Sequence, residues 1–306
     1  MPGQSVVKVN TLCKRYGKVK SVDGISFEVY QGEIFGMVGP NGAGKTTTIE
    51  CIESLRRPDA GEVEVLGLDP VKDHKQLCER IGVQLQESSL PDRLHVDEAL
   101  DLFSSFYRKS INWQELLLDL GLQEKARNAY VNLSGGQKQR LFIALALVND
   151  PEIVFFDELT TGLDPQARRT MWELVHRIRD KGKTVFLTTH FMEEAERLCD
   201  RVAIIDCGKL IALDTPENLI RDLKEGQRII FTLQDNVDPA QFHRIKYAES
   251  VAVSSDRITI SGSSDHLISE VVNFLTGNGI HFRDLRTEQP SLEDVFLKLT
   301  GHQVRN

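Results

Sequence analysis

Three short, unbroken apolar runs punctuate the first two-thirds of the chain: Ile34–Val38, Ile153–Phe156 and Val185–Leu187. Each is followed by a turn and a stretch with helical spacing, at Thr46–Ser54, Pro165–Lys181 and Met192–Leu198. Continuous runs, as opposed to alternating ones, mark strands buried on both faces, as in a parallel sheet. The repetition of strand, turn and helix therefore predicts an α/β sheet with helices covering it. Short β segments around turn glycines are predicted at Val6–Asn10, Ile25–Val29 and Glu62–Val65. From about Asp92 to Arg127 no strand pattern is found. EALDLFSSFY and WQELLLDLGL predict an inserted helical subdomain there, placed at about residues 90–150.

Near Lys224–Gln227 the texture changes. RIIFTL and SVAVSSDRITISG read as strands, HLISEVVNFLTGNG as a helix and IHFRDLRTE as another strand, closed by the amphipathic stretch PSLEDVFLKLTG. The expectation is a large α/β domain over 1–225 and a small α+β domain over 226–306. With 306 residues, 41% of them hydrophobic, the chain can bury a sizeable core. No apolar run reaches the roughly 20 residues that span a bilayer, and the first residues lack a signal peptide's apolar region. A chain kept in the cytosol is expected. Five scattered cysteines without a CxxC pair point to reduced packing residues and not to a zinc site. A net charge of −8 with no long basic run argues against nucleic acid as a partner.

Residues 39–46 read GPNGAGKT and match G-x-x-x-x-G-K-[ST], between an apolar strand and a helix, the context this motif requires. Gly39, Gly42 and Gly44, with Pro40, Asn41 and Ala43 between them, let backbone N–H groups curl onto phosphates at a helix N-terminus. Lys45 brings a positive charge to the β- and γ-phosphates, and Thr46 offers a hydroxyl to Mg²⁺. The run Ile153–Phe156 ends in Asp157 and Glu158. Asp157 is placed to hold Mg²⁺, directly or through water, and Glu158 to polarise an attacking water. No N/T-K-x-D segment for guanine is found, so ATP is the expected nucleotide. Tyr16 is either the adenine-stacking aromatic or a strand-edge tyrosine.

A second anion-binding helix start follows the helical insert, at Ser134, Gly135, Gly136 and Gln137 within LSGGQ. Two phosphate-grasping loops and one nucleotide site suggest sharing between chains. Residues 134–137 of one subunit would close over ATP held by residues 39–46 of another.

On these motifs, about residues 5–223 resemble the ATPases of ATP-binding cassette (ABC) transporters. GPNGAGKTT at 39–47, ending in Thr47, and LSGGQ at 133–137 together are very specific for that family. The resemblance implies a P-loop ABC fold, mostly parallel with an antiparallel β part and a helical subdomain. It makes Asp157 the Mg²⁺-linked aspartate, Glu158 the catalytic glutamate and His190, in FLTTH, the switch histidine at the γ-phosphate. It makes Gln86 the loop glutamine at Mg²⁺ and water, with Gln84 competing and Gln86 favoured by spacing. It places Asp164, in TGLDP, at the dimer interface, where the same residue can also cap a helix ahead of Pro165. Tyr16 falls at the adenine-stacking position. Two departures stand out: Leu159 and Leu85 occupy positions where proline is usual, and Leu159 loosens the turn beside Glu158.

MEEAERLCDRVAIIDCGKLIALDTPENL and SLEDVFLKLTG are similar to the ABC-2 type of drug-resistance exporter ATPases. That implies a paired ATPase subunit, a separate integral membrane permease and a station on the cytoplasmic face of the membrane. The docking surface is expected around Gln86–Tyr107. A soluble ABC ATPase acting on ribosomes or DNA is the alternative. Such chains usually carry two cassettes or a long coiled-coil insert, and this one carries neither. A small-molecule sensor or a homodimer contact are the two roles considered for 226–306.

Overall fold

The structure is a computed structural model that describes residues 3–86, 88–223, 226–235 and 237–301. It comprises two units, one ending at Pro216 and one beginning at Glu217. The expected boundary at Lys224–Gln227 includes Lys224 and Glu225, which lie outside the described residues.

The first unit opens with β1 (Ser5–Tyr16), β2 (Val19–Tyr30) and β3 (Ile34–Val38), followed by α1 (Lys45–Ile52) and β4 (Ala60–Val65). Next come α2 (His74–Cys78), β5 (Ile81–Gln84) and the helices α3 (Val96–Ser104), α4 (Trp113–Asp119) and α5 (Gly135–Leu147). The series β6 (Ile153–Asp157), α6 (Pro165–Asp180), β7 (Thr184–Thr189), α7 (Met192–Leu198), β8 (Arg201–Asp206) and β9 (Lys209–Asp214) completes it.

Six strands form one sheet in the order β5-β6-β7-β3-β8-β9, parallel throughout except for the last pair. Every residue of β3, β6 and β7 is buried, which is why each carries an apolar run, ending in β6 at Asp157 and flanked in β7 by threonines. A second, antiparallel sheet has the order β2-β1-β4. Its inner face packs on the first through Phe27, whose ring stacks 5.4 Å from Phe35, with Phe186 at 5.2 Å from Phe35 and Phe155 at 5.6 Å from Phe186. The α/β sheet, the antiparallel part and the helical insert are those predicted.

Register levels the strand ends. Val38 lies opposite Thr189, and Asp157 opposite Thr188. The segments after β3, β6 and β7 therefore emerge together at the carboxyl edge of the sheet, where open α/β sheets bind ligands.

Tertiary pairing extends what the pattern predicted. The segment at Val6–Asn10 falls in the first half of one twelve-residue strand and that at Ile25–Val29 in the last half of another; the more polar remainders, 11–16 and 19–24, are held by pairing with each other. The helix predicted over Thr46–Ser54 begins at Lys45 and ends at Ile52; Ser54, with φ 67°, leaves helical geometry. Strands β5, β8 and β9 were not foreseen. IGVQ is too short for a period, and the β8–β9 hairpin depends on its partners.

In the second unit, α8 (Pro216–Asp222) begins at the junction and is followed by β10 (Gln227–Leu233), β11 (Ser250–Ser254) and β12 (Arg257–Gly262). Then come α9 (Leu267–Gly277), β13 (Phe282–Glu288) and α10 (Leu292–Thr300). The sheet order is β11-β12-β10-β13, all antiparallel. Phe231, Ile258 and Ile260 from the sheet pack with Leu267, Val271 and Leu275 of α9. Ser291 and Asp294 form a capping box on α10, and Arg228 ties β10 to it at 2.7 Å from Asp294. Among the described residues no helix is long and apolar enough to cross a membrane.

Candidate functional site

The loop between β3 and α1 lies directly on neighbouring backbone, and glycine is what permits this. A Cβ on Gly39 would come within 2.1 Å of the Ile205 carbonyl oxygen, and one on Gly44, at φ 105°, within 2.3 Å of that of Ser21. The Gly208 N–H donates to Ala43 O at 2.9 Å, which clamps the loop to the β8–β9 turn. The Lys45 ammonium donates to Gly39 O at 2.8 Å and Pro40 O at 3.2 Å and is only 4% exposed. Burial pushes its pKa down, while the charges of Glu158 and Asp157 oppose that shift. Thr47 accepts a hydrogen bond from Ser21 Oγ at 2.9 Å.

β6 ends at Asp157, and the chain turns through Glu158 at φ 52°, a left-handed conformation that non-glycine residues seldom take. The turn is held because the Glu158 N–H donates to both the carbonyl and the hydroxyl of Thr188, each at 3.1 Å. Leu159, expected to loosen this turn, is itself 3% exposed. The turn is thus held by hydrogen bonds from one side and by the buried Leu159 side chain from the other.

Four side chains from different segments reach the buried Glu158 carboxylate. Lys45 Nζ is 3.7 Å from Oε1, and His190 Nδ1 is 3.3 Å from the same oxygen without hydrogen-bond alignment. Gln86 Nε2 and Thr161 Oγ1 each donate to Oε2 at 3.2 Å. Gln86 is thus the glutamine that touches Glu158. Gln84 is buried at the end of β5, and its amide donates to Leu85 O.

Asp157 accepts a hydrogen bond from the Thr188 hydroxyl. Burial raises its pKa, and hydrogen bonds from Thr188 and Thr46 pull it back. Replacing Thr188 with valine leaves this carboxylate short of a donor and should cost about 1–3 kcal/mol at neutral pH, read by urea unfolding. A carboxyl with a raised pKa takes up its proton in the folded state first, and a neutral carboxyl is cheaper to leave unpaired. The deficit should therefore shrink as pH falls through the Asp157 titration; a deficit constant with pH would contradict this account.

The remaining predicted residues lie apart from this cluster. Ser134 caps α5 in a capping box, with Gln137 Oε1 accepting from its N–H at 2.9 Å, and Ser134 and Gly135 are exposed. Among the described residues, 134–137 share no hydrogen bond or ion pair with 39–47. Asp164 caps α6, accepting from the N–H groups of Gln166 at 2.9 Å and Ala167 at 2.8 Å, ahead of Pro165. Tyr16 is 42% exposed at the end of β1, with the Arg56 guanidinium 5.3 Å from its ring centre. The five cysteines are free, and burial pushes the Cys51 thiol up to about 11.

Sequence reasoning missed Thr188 and Thr161. The signal for Thr188 was present, as a hydroxyl residue ending a buried apolar run. It also missed Glu53, buried next to α1 with neither carboxylate oxygen hydrogen-bonded and a pKa pushed well up by burial and by the Asp157 charge.

The sequence matches the ABC transporter family over residues 22–161. It is 36% identical over 309 residues to the daunorubicin resistance ATP-binding protein DrrA3 of Streptomyces coeruleorubidus, covering 98% of each chain. It is 39% identical over 308 residues to the Nod factor export ATP-binding protein I of Rhizobium meliloti strain 1021, covering 98% of this chain and 89% of that one. Among solved structures, the dimeric bacterial ABC transporter cassette MJ0796 superposes with a TM-score of 0.61 at 28% identity, covering 68% of this chain and 98% of that one. A glycine loop of this geometry, facing a buried glutamate at the carboxyl edge of a parallel sheet, agrees with those relationships: the chain belongs to the ATP-hydrolysing subunits of ABC transporters.

Proposed function

We propose that this chain is the ATPase of an exporter, working as a pair of subunits that drive a separate membrane permease from the cytoplasmic face. The observation that carries the chemistry is the convergence of Lys45, Gln86 and His190 on the Glu158 carboxylate. Residues 39–47 bind the phosphates, with Lys45 as their counter-charge and Tyr16 beneath the adenine. Glu158 accepts a proton from the attacking water, Gln86 orients that water, and His190 contacts the γ-phosphate. The export role rests on the two relatives, one concerned with daunorubicin resistance and the other with Nod factor export.

The residues fit Mg²⁺. The Thr46 hydroxyl, the Asp157 carboxylate and the Gln86 amide oxygen are hard donors, and this ion commonly takes one or two carboxylates and completes its shell with water and phosphate. When bound, it would neutralise phosphate charge.

Ser134–Gln137 face solvent at a helix N-terminus and are not bonded to the chain's own phosphate loop. We therefore assign them to the ATP of the second subunit, with Asp164 beside that junction; the cassette MJ0796 is itself dimeric. ATP turnover per chain should then rise with protein concentration at the dilute end and level off as pairs form. A constant rate per chain in a strictly monomeric protein would overturn the paired arrangement. Recovery of the chain with a multi-span membrane protein, as against ribosomes or DNA, tests the exporter role.

A further inference from the structure

Behind Asp164, the first turn of α6 carries Arg168, whose guanidinium carbon lies 4.2 Å from the centre of the Phe191 ring. That ring is 4.0 Å from the His190 imidazole, centre to centre, at an interplanar angle of 42°. Phe191 is itself fixed, because its N–H donates to Thr189 Oγ1 at 3.0 Å and it caps α7. The neighbouring Glu194 is 2% exposed and accepts from Trp172 Nε1 of α6 at 3.1 Å. Arg168 Nε is buried with no hydrogen-bond partner. Its charge is met by the ring face and by the Glu194 carboxylate, which it acts upon. A guanidinium with a free donor is an uneconomical way to fill space. It is a suitable way to grip an aromatic face.

We infer that Arg168 and Phe191 are positioning residues that hold the His190 imidazole against Glu158 and transmit displacements of the Asp164 turn to it. The sequence of contacts is continuous: Asp164 caps α6, Arg168 stands one turn later, Phe191 lies under its guanidinium, and His190 packs on Phe191. This inference rests on the proposed roles of His190 and Glu158. If Asp164 lies at the subunit junction, the arrangement links arrival of the second subunit to the placing of His190. The Trp172–Glu194 hydrogen bond ties α6 to α7 beside this stack.

The test uses the full-length protein with histidine carbon-13 labelling, the His190 signal being assigned by its loss in His190→Gln. Arg168→Met keeps the apolar stem and removes the cation. It should lower kcat about 5- to 20-fold, the range of one partly desolvated cation–π contact, leave KM for ATP within twofold, and shift the His190 signal. Arg168→Lys should restore most of the turnover. Phe191→Leu should match Arg168→Met, and the double variant should be no worse than either. Turnover within twofold of wild type in Arg168→Met, or losses that multiply in the double variant, would overturn the inference. Full turnover by His190→Gln would instead overturn the role given to His190. The stack would then be judged on the imidazole signal alone, and an unshifted signal in Arg168→Met would sink it.

Discussion

Glu158→Gln is expected to bind ATP, release phosphate at a rate lower by about 10²–10⁴-fold, and accumulate as a nucleotide-bound pair. The side chain keeps its shape, and its remaining carbonyl oxygen can still accept from Gln86 or Thr161, which now donate to Oε2. What disappears is the negative charge and the ability to take a proton. Lys45 and His190 lose their anionic neighbour, at 3.7 Å and 3.3 Å, but Lys45 keeps its bonds to Gly39 O and Pro40 O. ATP binding should therefore survive. Removing a carboxylate from beside the γ-phosphate also reduces repulsion, so nucleotide affinity should equal or exceed that of wild type. Phosphate release together with size-exclusion chromatography in ATP separates the outcomes. Wild-type phosphate release would remove Glu158 from its role.

Lys45→Met should weaken ATP binding about 10- to 100-fold, the scale of a hydrogen bond to a charged group. The loss must be distinguished from unfolding, and the electrostatics of the site make the distinction sharp. Burial lowers the Lys45 pKa, which means that the folded protein without nucleotide disfavours the charged ammonium relative to water. A methionine of similar length fills the same space and avoids that desolvation. Relief of that desolvation offsets the lost bonds to Gly39 O and Pro40 O and the lost counter-charge of Glu158, so the Tm without nucleotide should stay close to that of wild type, while the ATP-induced rise in Tm should shrink. A variant whose nucleotide-free Tm collapses would show that Lys45 is needed for folding as well as for the phosphates.

Much of the site could be read along the chain because it is local. The loop at residues 39–47 needs strand, glycines, lysine and helix in immediate succession, and these are adjacent in sequence. Asp157 and Glu158 ended an apolar run, and a run buried on both faces leaves only its tip available for chemistry. Leu159 shows the limit. The turn beside it is also held by two hydrogen bonds from the Glu158 N–H to Thr188, thirty positions away and brought alongside only by sheet pairing. Gln84 and Gln86 compete in the sequence, where spacing alone favours Gln86. Side-chain direction at the end of β5 separates them, since one is buried in the unit and the other donates to Glu158.

The phosphate loop, the acidic strand tip, the LSGGQ helix start and the α/β class are legible in the order of residues alone, because each is encoded by short-range spacing and burial. Which residues meet depends instead on the folded chain. The strand order β5-β6-β7-β3 brings Gln86, Glu158, His190 and Lys45 to one sheet edge from separations of up to 145 positions. It also set Arg168 on Phe191, for which no periodicity gives a sign. Parallel pairing is non-local by nature, since each strand's neighbour is chosen across a helix, and the contacts that complete the site depend on that choice.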